Sequence, residues 1–137
     1  MHPIFYIIVA NCNSQLYPRS EEYFRRTREA DEDVKLEELS PPGPKRETRF
    51  AELKELLGEV DGVLSRHCSG KKFFTGDEPC FVDFMLGGAL IWLKVLTSEE
   101  ERQEVATWHG GRWSKHLEEL SKWEAGDVGD DTVWKDE

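Results

Sequence analysis

Three cysteines, four histidines and the acids near them are the residues of this chain that could do chemistry, and their spacing narrows what that chemistry is. Cys80 stands three residues before Asp83, where the turn residues Gly76-Asp77-Glu-Pro79 give way to an apolar run from Phe81. A cysteine at a helix N-terminus can have a lowered pKa and act as a nucleophile. The same pair also fits a capping box. With Cys80 as the cap, Asp83 is the third helical residue, and its carboxylate reaches back to the Cys80 backbone N–H. The capping reading is preferred, because the helix that follows is apolar and apolar burial raises a thiol pKa. Asp83 is then a folding residue and Cys80 an inert cap, with Pro79 and Phe84 placed as a hydrophobic staple. A thiol accepts hydrogen bonds poorly, so half of a feature normally worth about 0.5–2 kcal/mol is weakened.

The remaining candidates carry less. His67-Cys68 and His109 lack ligand pairs two to five residues apart, so no metal site is expected. No phosphate loop, Ser-His-Asp order or paired-carboxylate pattern is present, and no catalytic residue is assigned. Cys12, Cys68 and Cys80 form no C-x-x-C pair and are odd in number, which argues against a disulfide framework and for a reducing compartment. Trp108, Trp113 and Trp123 fall at near-helical spacing and read as core and inter-helix packing rather than an aromatic ligand platform.

The elements that would position these residues read as helices throughout. Residues 3–13 are apolar and β-branched enough to allow a strand, but Pro3 suits a first helical position and everything downstream is helical. Ser20 is placed to cap a second helix over Glu21–Glu29, with carboxylates in its first turn. Ser40-Pro-Pro-Gly-Pro44 is a breaker. From Pro44, the spacing of Phe50, Leu53, Leu57, Val60 and Leu64 predicts a long amphipathic helix, ending near Gly70 as a left-handed C-cap. The central helix, roughly Phe81 to Leu96, is apolar nearly all round, which predicts enclosure by the other helices. Gly87-Gly88 lowers its propensity by about 1 kcal/mol per glycine, and close approach of a neighbouring backbone is the expected reason. Ser98-Glu-Glu-Glu101 is a capping box. Gly110-Gly111 breaks the chain before a last helix marked by Trp113, Leu117, Leu120 and Trp123.

A length of 137 residues indicates one domain, large enough for a core without disulfides or metal. Charged residues make up 34% and hydrophobic residues 38%, as in a soluble globular protein. The net charge of −10 speaks against nucleic acid as a partner. The cluster Arg25, Arg26 and Arg28 is ringed by carboxylates and reads as a solvated helix face. The N-terminus has no secretory pattern, and Phe84–Leu93 is too short to cross a bilayer, so neither export nor membrane insertion is expected. The segment 126–137 holds five acids and one lysine and is expected to be a flexible tail after a domain covering 1–125.

The stretch Phe73-Phe-Thr-Gly-Asp77 running on through Asp83 into the apolar helix resembles the core of the all-helical C-terminal domain of glutathione transferases, although Cys80 stands where that family usually has Ser or Thr. Tyr17-Pro-Arg-Ser-Glu-Glu-Tyr-Phe-Arg-Arg-Thr-Arg-Glu29, Lys35–Leu39, Lys72–Asp77, Ile91–Lys94 and Trp108-His-Gly-Gly-Arg-Trp113 bring it nearest to the FuA and etherase-type enzymes of wood-decay basidiomycetes. The resemblance covers about residues 17–125. It implies an all-α bundle of five to six helices from a dimeric, cytoplasmic detoxification enzyme that joins glutathione to electrophilic or aromatic compounds or removes it from adducts. In that family the glutathione site and the catalytic residue lie mainly on an N-terminal thioredoxin-like domain, and this chain starts too late to contain one. Met1 followed directly by a helix is expected from a truncated reading frame or from a genuine stand-alone form.

Two functions follow from the resemblance. One is a module without catalysis of its own that binds a hydrophobic or aromatic small molecule, a second copy of itself, or a thioredoxin-fold protein. Its ligand-lining candidates are Phe5, Tyr6, Asn13 and Trp92, although a solvent-facing helix end is the preferred reading of Asn11, Cys12 and Asn13. The other is the helical half of a glutathione transferase, using glutathione only when an N-terminal domain is supplied and needing no other cofactor. A scaffold role in a larger assembly is a weaker third.

Overall fold

The computed structural model of the chain describes residues 3–67 and 70–124; Cys68 and the acidic segment 126–137 lie outside the described residues. The order of elements is α1 (Pro3–Asn13), α2 (Pro18–Glu32), a single turn α3 (Leu36–Leu39), α4 (Pro44–His67), α5 (Phe81–Leu96), α6 (Glu99–Thr107), a 3-10 turn Trp108–Gly111, and α7 (Arg112–Glu124). Among the described residues these six longer helices and two short turns make an all-α bundle, as expected.

The helix starts follow local chemistry. Pro18, not Ser20, sets the start of α2: Tyr17 is the cap residue and makes no side-chain bond there. A proline at the first helical position has no N–H to satisfy and arrives with helical φ, so the hydroxyl at Ser20 is not needed. Ser98 Oγ accepts from the Glu101 N–H at 3.3 Å, while Glu101 Oε2 accepts from the Ser98 N–H at 2.9 Å, completing the expected box at α6. Between α6 and α7 the chain passes through three left-handed residues, His109 (φ 51°), Gly110 (φ 68°) and Gly111 (φ 75°). Glycine enters that region without strain and histidine does not. His109 is held there by accepting a hydrogen bond at Nδ1 from Trp113 Nε1, 2.8 Å.

The main core joins Ile7 and Ile8 of α1, Phe50, Leu53, Leu57 and Leu64 of α4, Leu90, Leu93 and Leu96 of α5, Val105, Trp108 and Trp113. These four α4 residues are among the five whose spacing predicted a buried face; the fifth, Val60, is partly buried against the same core. A second cluster of Val9, Leu36 and Leu39, flanked by Phe5, Tyr6, Ala10 and Phe24, roofs the other side of α1. α2 itself buries no residue fully. It is fastened by polar links, Asn13 Nδ2 to Glu21 Oε1 (3.1 Å), Arg25 to Glu37 (2.8 Å) and the Leu36 N–H to Glu29 Oε1 (3.2 Å).

One guanidinium links four segments. Arg46, in the first turn of α4, pairs with Glu101 at the start of α6, donates to the Ile7 carbonyl of α1 (3.1 Å) and reaches Ser40 Oγ after α3 (3.3 Å). Partial burial works to raise the pKa of the Glu101 carboxyl, but hydrogen bonds and charge from Arg46, with the Ser98 N–H, outweigh it and hold the group below its ordinary 4.5.

The central helix differs from expectation. α5 is buried along a single stripe, Asp83, Gly87, Leu90, Leu93 and Leu96. Its opposite side is open: Phe81 is 76% exposed, and Met85, Trp92 and Val95 are each 60% exposed. The two glycines divide accordingly. A Cβ at Gly87 would lie 2.6 Å from Leu120 Cδ1 of α7, whereas one at Gly88 meets nothing within 4 Å. The close approach is therefore to a side chain rather than a backbone, and it involves one glycine of the pair.

Two outcomes follow. Gly88→Ala should stabilise the chain by about 1 kcal/mol through helix propensity. Gly87→Ala should destabilise it, because overpacking a filled core costs about 1–3 kcal/mol and Leu120 is itself buried. Urea unfolding of both variants checks this, and equal midpoints would show the contrast to be wrong. For Glu101, a depressed native pKa contributes stability that is complete above the ordinary 4.5 and is lost as pH falls through the lower native value. Thermal melts across that acid range should therefore show a shallower loss in Glu101→Gln than in the parent.

Candidate functional site

The site starts from a buried charge. Asp83 has no solvent exposure, and both its oxygens accept backbone N–H groups: Oδ2 from Cys80 at 2.9 Å and Oδ1 from Phe74 at 3.2 Å. The first bond closes the start of α5, and the second ties down the turn before it. In that turn Phe73 and Gly76 exchange both backbone hydrogen bonds (3.0 and 3.3 Å), with Gly76 at φ +142°, a conformation that favours glycine. The Cys80 thiol faces the Asp83 backbone N–H in capping-box geometry, but sulfur is a weak acceptor, so the carboxylate carries most of the box. His116 of α7 lies behind it, 5% exposed, with Nε2 3.3 Å from the Asp83 carbonyl and its ring edge against Phe73. Charge-assisted bonds of this type contribute about 1.5–3 kcal/mol each.

Anchored in this way, α5 turns one face to solvent. Phe81, Met85, Gly88, Trp92 and Val95 recur at spacings of four, three, four and three, which places them on one side of a helix. The stripe is apolar, has the bare Gly88 at its middle, and meets no other element of the described chain at Gly88. Phe84, next to it, is half-exposed with its ring edge against Trp123 at 6.5 Å. Isolated exposed hydrophobic residues are ordinary, whereas a contiguous apolar face on a core helix marks a contact surface.

The four ligand-lining candidates do not form one site. Phe5 and Tyr6 pack edge to face at 5.6 Å over the second cluster, and the Arg49 guanidinium covers the Tyr6 ring at 4.4 Å. Asn13 is buried, with Nδ2 bound to Glu21 and Oδ1 without a partner among the described residues. Asn11 caps the far end of α5, its Nδ2 donating to the Leu96 carbonyl at 2.6 Å. Trp92 alone lies on the open stripe. Beside the stripe, a groove of about 1030 Å³ runs between α5, α6 and α7 over Leu90, Val105, Trp113 and Leu117; it reaches Val95 at the stripe's end and includes none of the four. No group of His, Cys, Asp or Glu among the described residues could hold a metal ion, and none of the described helices is long and apolar enough to cross a membrane.

Comparison with known proteins places this geometry. The family described as Glutathione S-transferase, C-terminal domain matches residues 1–123. Two solved glutathione S-transferases of Ceriporiopsis subvermispora, each in complex with glutathione, are similar to the chain. One is 35% identical with a TM-score of 0.84, over 92% of this chain and 51% of that one; the other is 34% identical with a TM-score of 0.79, over 88% and 49%. Glutathione transferase GSTFuA3 from Phanerochaete chrysosporium is 36% identical with a TM-score of 0.80, over 92% of this chain and 50% of its own. The chain thus spans about half the length of the solved structures it matches. No curated protein matches it.

Removing the buried carboxylate separates the two halves of the capping box. Asp83→Ala removes the acceptor that the Phe74 and Cys80 N–H groups share and should cost about 3 kcal/mol or more. Cys80→Ser replaces a weak sulfur acceptor with a hydroxyl and should add about 0.5–1 kcal/mol. Chemical denaturation of the two variants is the check, and a loss under about 1 kcal/mol in Asp83→Ala would refute the anchoring role given to it.

Proposed function

The chain belongs to the glutathione S-transferase C-terminal domain family, and from that membership we propose that it acts as a docking half. The outer stripe of α5 packs against a thioredoxin-fold, glutathione-binding domain, and the helical chain supplies the apolar wall for an electrophilic or aromatic co-substrate. The observation that carries this reading is the open stripe Phe81, Met85, Gly88, Trp92 and Val95 on a helix whose other face is core. The solved transferases, each about twice the length of the region they share with this chain, support a partner of similar size. The chain has no catalytic residue of its own in this reading. Glutathione is held by the partner, and the work is cytoplasmic detoxification by conjugation or by removal of glutathione from adducts.

The test uses the purified chain and a separately expressed thioredoxin-fold half of a basidiomycete transferase. The chain alone should conjugate no glutathione to 1-chloro-2,4-dinitrobenzene. Mixing should give a one-to-one complex with measurable turnover. Met85→Lys and Trp92→Lys should each weaken association at least about tenfold, some 1.4 kcal/mol, with helical content unchanged. Turnover by the chain alone, a tight homodimer through the same stripe, or unaltered binding by both variants would each overturn the reading.

A further inference from the structure

The chain carries ten more negative than positive charges, yet one concavity gathers four cations around a single carboxylate. It measures about 320 Å³ and lies on the side of α7 away from the groove described above, where the loop after α4 meets the turn into α7. Lys71 and Lys72 come from that loop, Arg112 and Lys115 from the first turn of α7, and Glu119 is the one acid lining it. Two of the sequence blocks singled out by resemblance, Lys72–Asp77 and Trp108–Trp113, converge here, and the docking function uses neither.

The cations differ in how firmly they are committed. Arg112 is fixed: its Nε pairs with Asp61 of α4 and its Nη2 donates to Ser65 Oγ at 3.0 Å. Lys71 and Lys72 hold half-exposed partners, Asp77 at 3.1 Å and Glu119 at 2.8 Å. Such surface pairs are worth about 0–1 kcal/mol, so an incoming anion displaces them at little cost. Lys115 makes no ion pair or hydrogen bond among the described residues and is exposed. The walls are also shaped. His116 is buried at 5% exposure, and the His109 ring lies against Gly58, where a Cβ would stand 3.1 Å from its Nε2. Gly110 presents bare backbone to the cavity, and the 13-residue helix α7 directs its positive end there.

We propose that this pocket binds a small tetrahedral oxyanion, phosphate or sulfate, either free or as the end group of a small organic ester. Lys115 and Lys71 are the exchangeable contacts and Arg112 the fixed one. The volume exceeds that of a bare oxyanion, and Leu64 offers an apolar wall to an ester group. The proposal does not depend on the docking reading.

Amide resonances of the full chain, titrated with sodium phosphate and separately with phenyl phosphate at constant ionic strength, read the site directly. Saturable shifts centred on Gly110, Arg112 and Lys115 are expected, with Kd of about 1 mM or tighter. Lys71→Gln with Lys115→Gln should weaken binding about tenfold, and the spectrum itself reports that the variant is folded. Phenyl phosphate binding more tightly identifies an ester as the ligand, and equal affinity identifies the free anion. In the parent chain, phosphate should also raise the melting temperature more than chloride does. Shifts that stay linear to about 50 mM, or that persist unchanged in the double variant, would overturn the proposal.

Discussion

The structure depends on one carboxylate taken wholly out of water. Burying an ionised group is costly unless every lone pair that matters is met. Asp83 meets that condition with two backbone N–H donors from different segments, the cap of α5 and the loop before it. Because the loop and the helix share an acceptor, the direction in which α5 leaves the turn is tied to that carboxylate. The thiol at Cys80 completes the box only as a weak sulfur acceptor, which places most of the constraint on Asp83.

Fixing the direction of α5 also fixes which of its faces is left over. The inner stripe is consumed by α1 and α7, tightly enough that Gly87 leaves no room for a Cβ beside Leu120. The outer stripe is apolar too, and Phe81, Met85, Trp92 and Val95 stay largely exposed among the described residues. Between Phe81 and Leu93 the helix has a single charged residue, the buried Asp83. The outer face therefore lacks the acidic decoration found elsewhere on a chain of net charge −10, and an approaching apolar surface meets no like-charge repulsion there. Depletion of charge at the centre with aromatic and Met enrichment is the composition of an interface core.

What could be read from sequence, and what could not, divides along local and non-local lines. The α4 face at Phe50, Leu53, Leu57 and Leu64, the Ser98–Glu101 box and the break at Gly110-Gly111 are each decided within a few residues, and each is where periodicity or capping placed it. The enclosure of α5 was misjudged because a helix apolar on all sides carries no polar residue to mark its outer face. Only the positions of α1 and α7 distinguish Leu90 from Trp92. The same limit scattered the ligand candidates: Phe5 and Tyr6 looked like pocket aromatics, and packing of α3 and Arg49 turned them into a roof. Lys71 and Lys115 drew no notice, since nothing local to either marks them and they meet only because α7 folds back across the loop after α4. His116 is likewise unmarked by its neighbours in sequence, because Asp83 and Phe73 reach it from other elements.

The size of the open stripe limits what can bind it. A helix of 16 residues rises roughly 24 Å and is about 10–12 Å across with its side chains, so one face presents on the order of 260 Å². A stable, specific interface takes roughly 800 Å² from each partner. The α5 stripe is thus an anchor rather than a complete surface. A partner touching it alone would bind weakly, and a lasting complex needs a body broad enough to cover flanking segments as well. That requirement favours a folded domain over a peptide or a small ligand as the occupant. It also gives Gly88 a role that intrinsic propensity does not explain: a flat point at the middle of the stripe lets the partner's backbone approach the helix closely, as small residues do wherever two helices cross tightly.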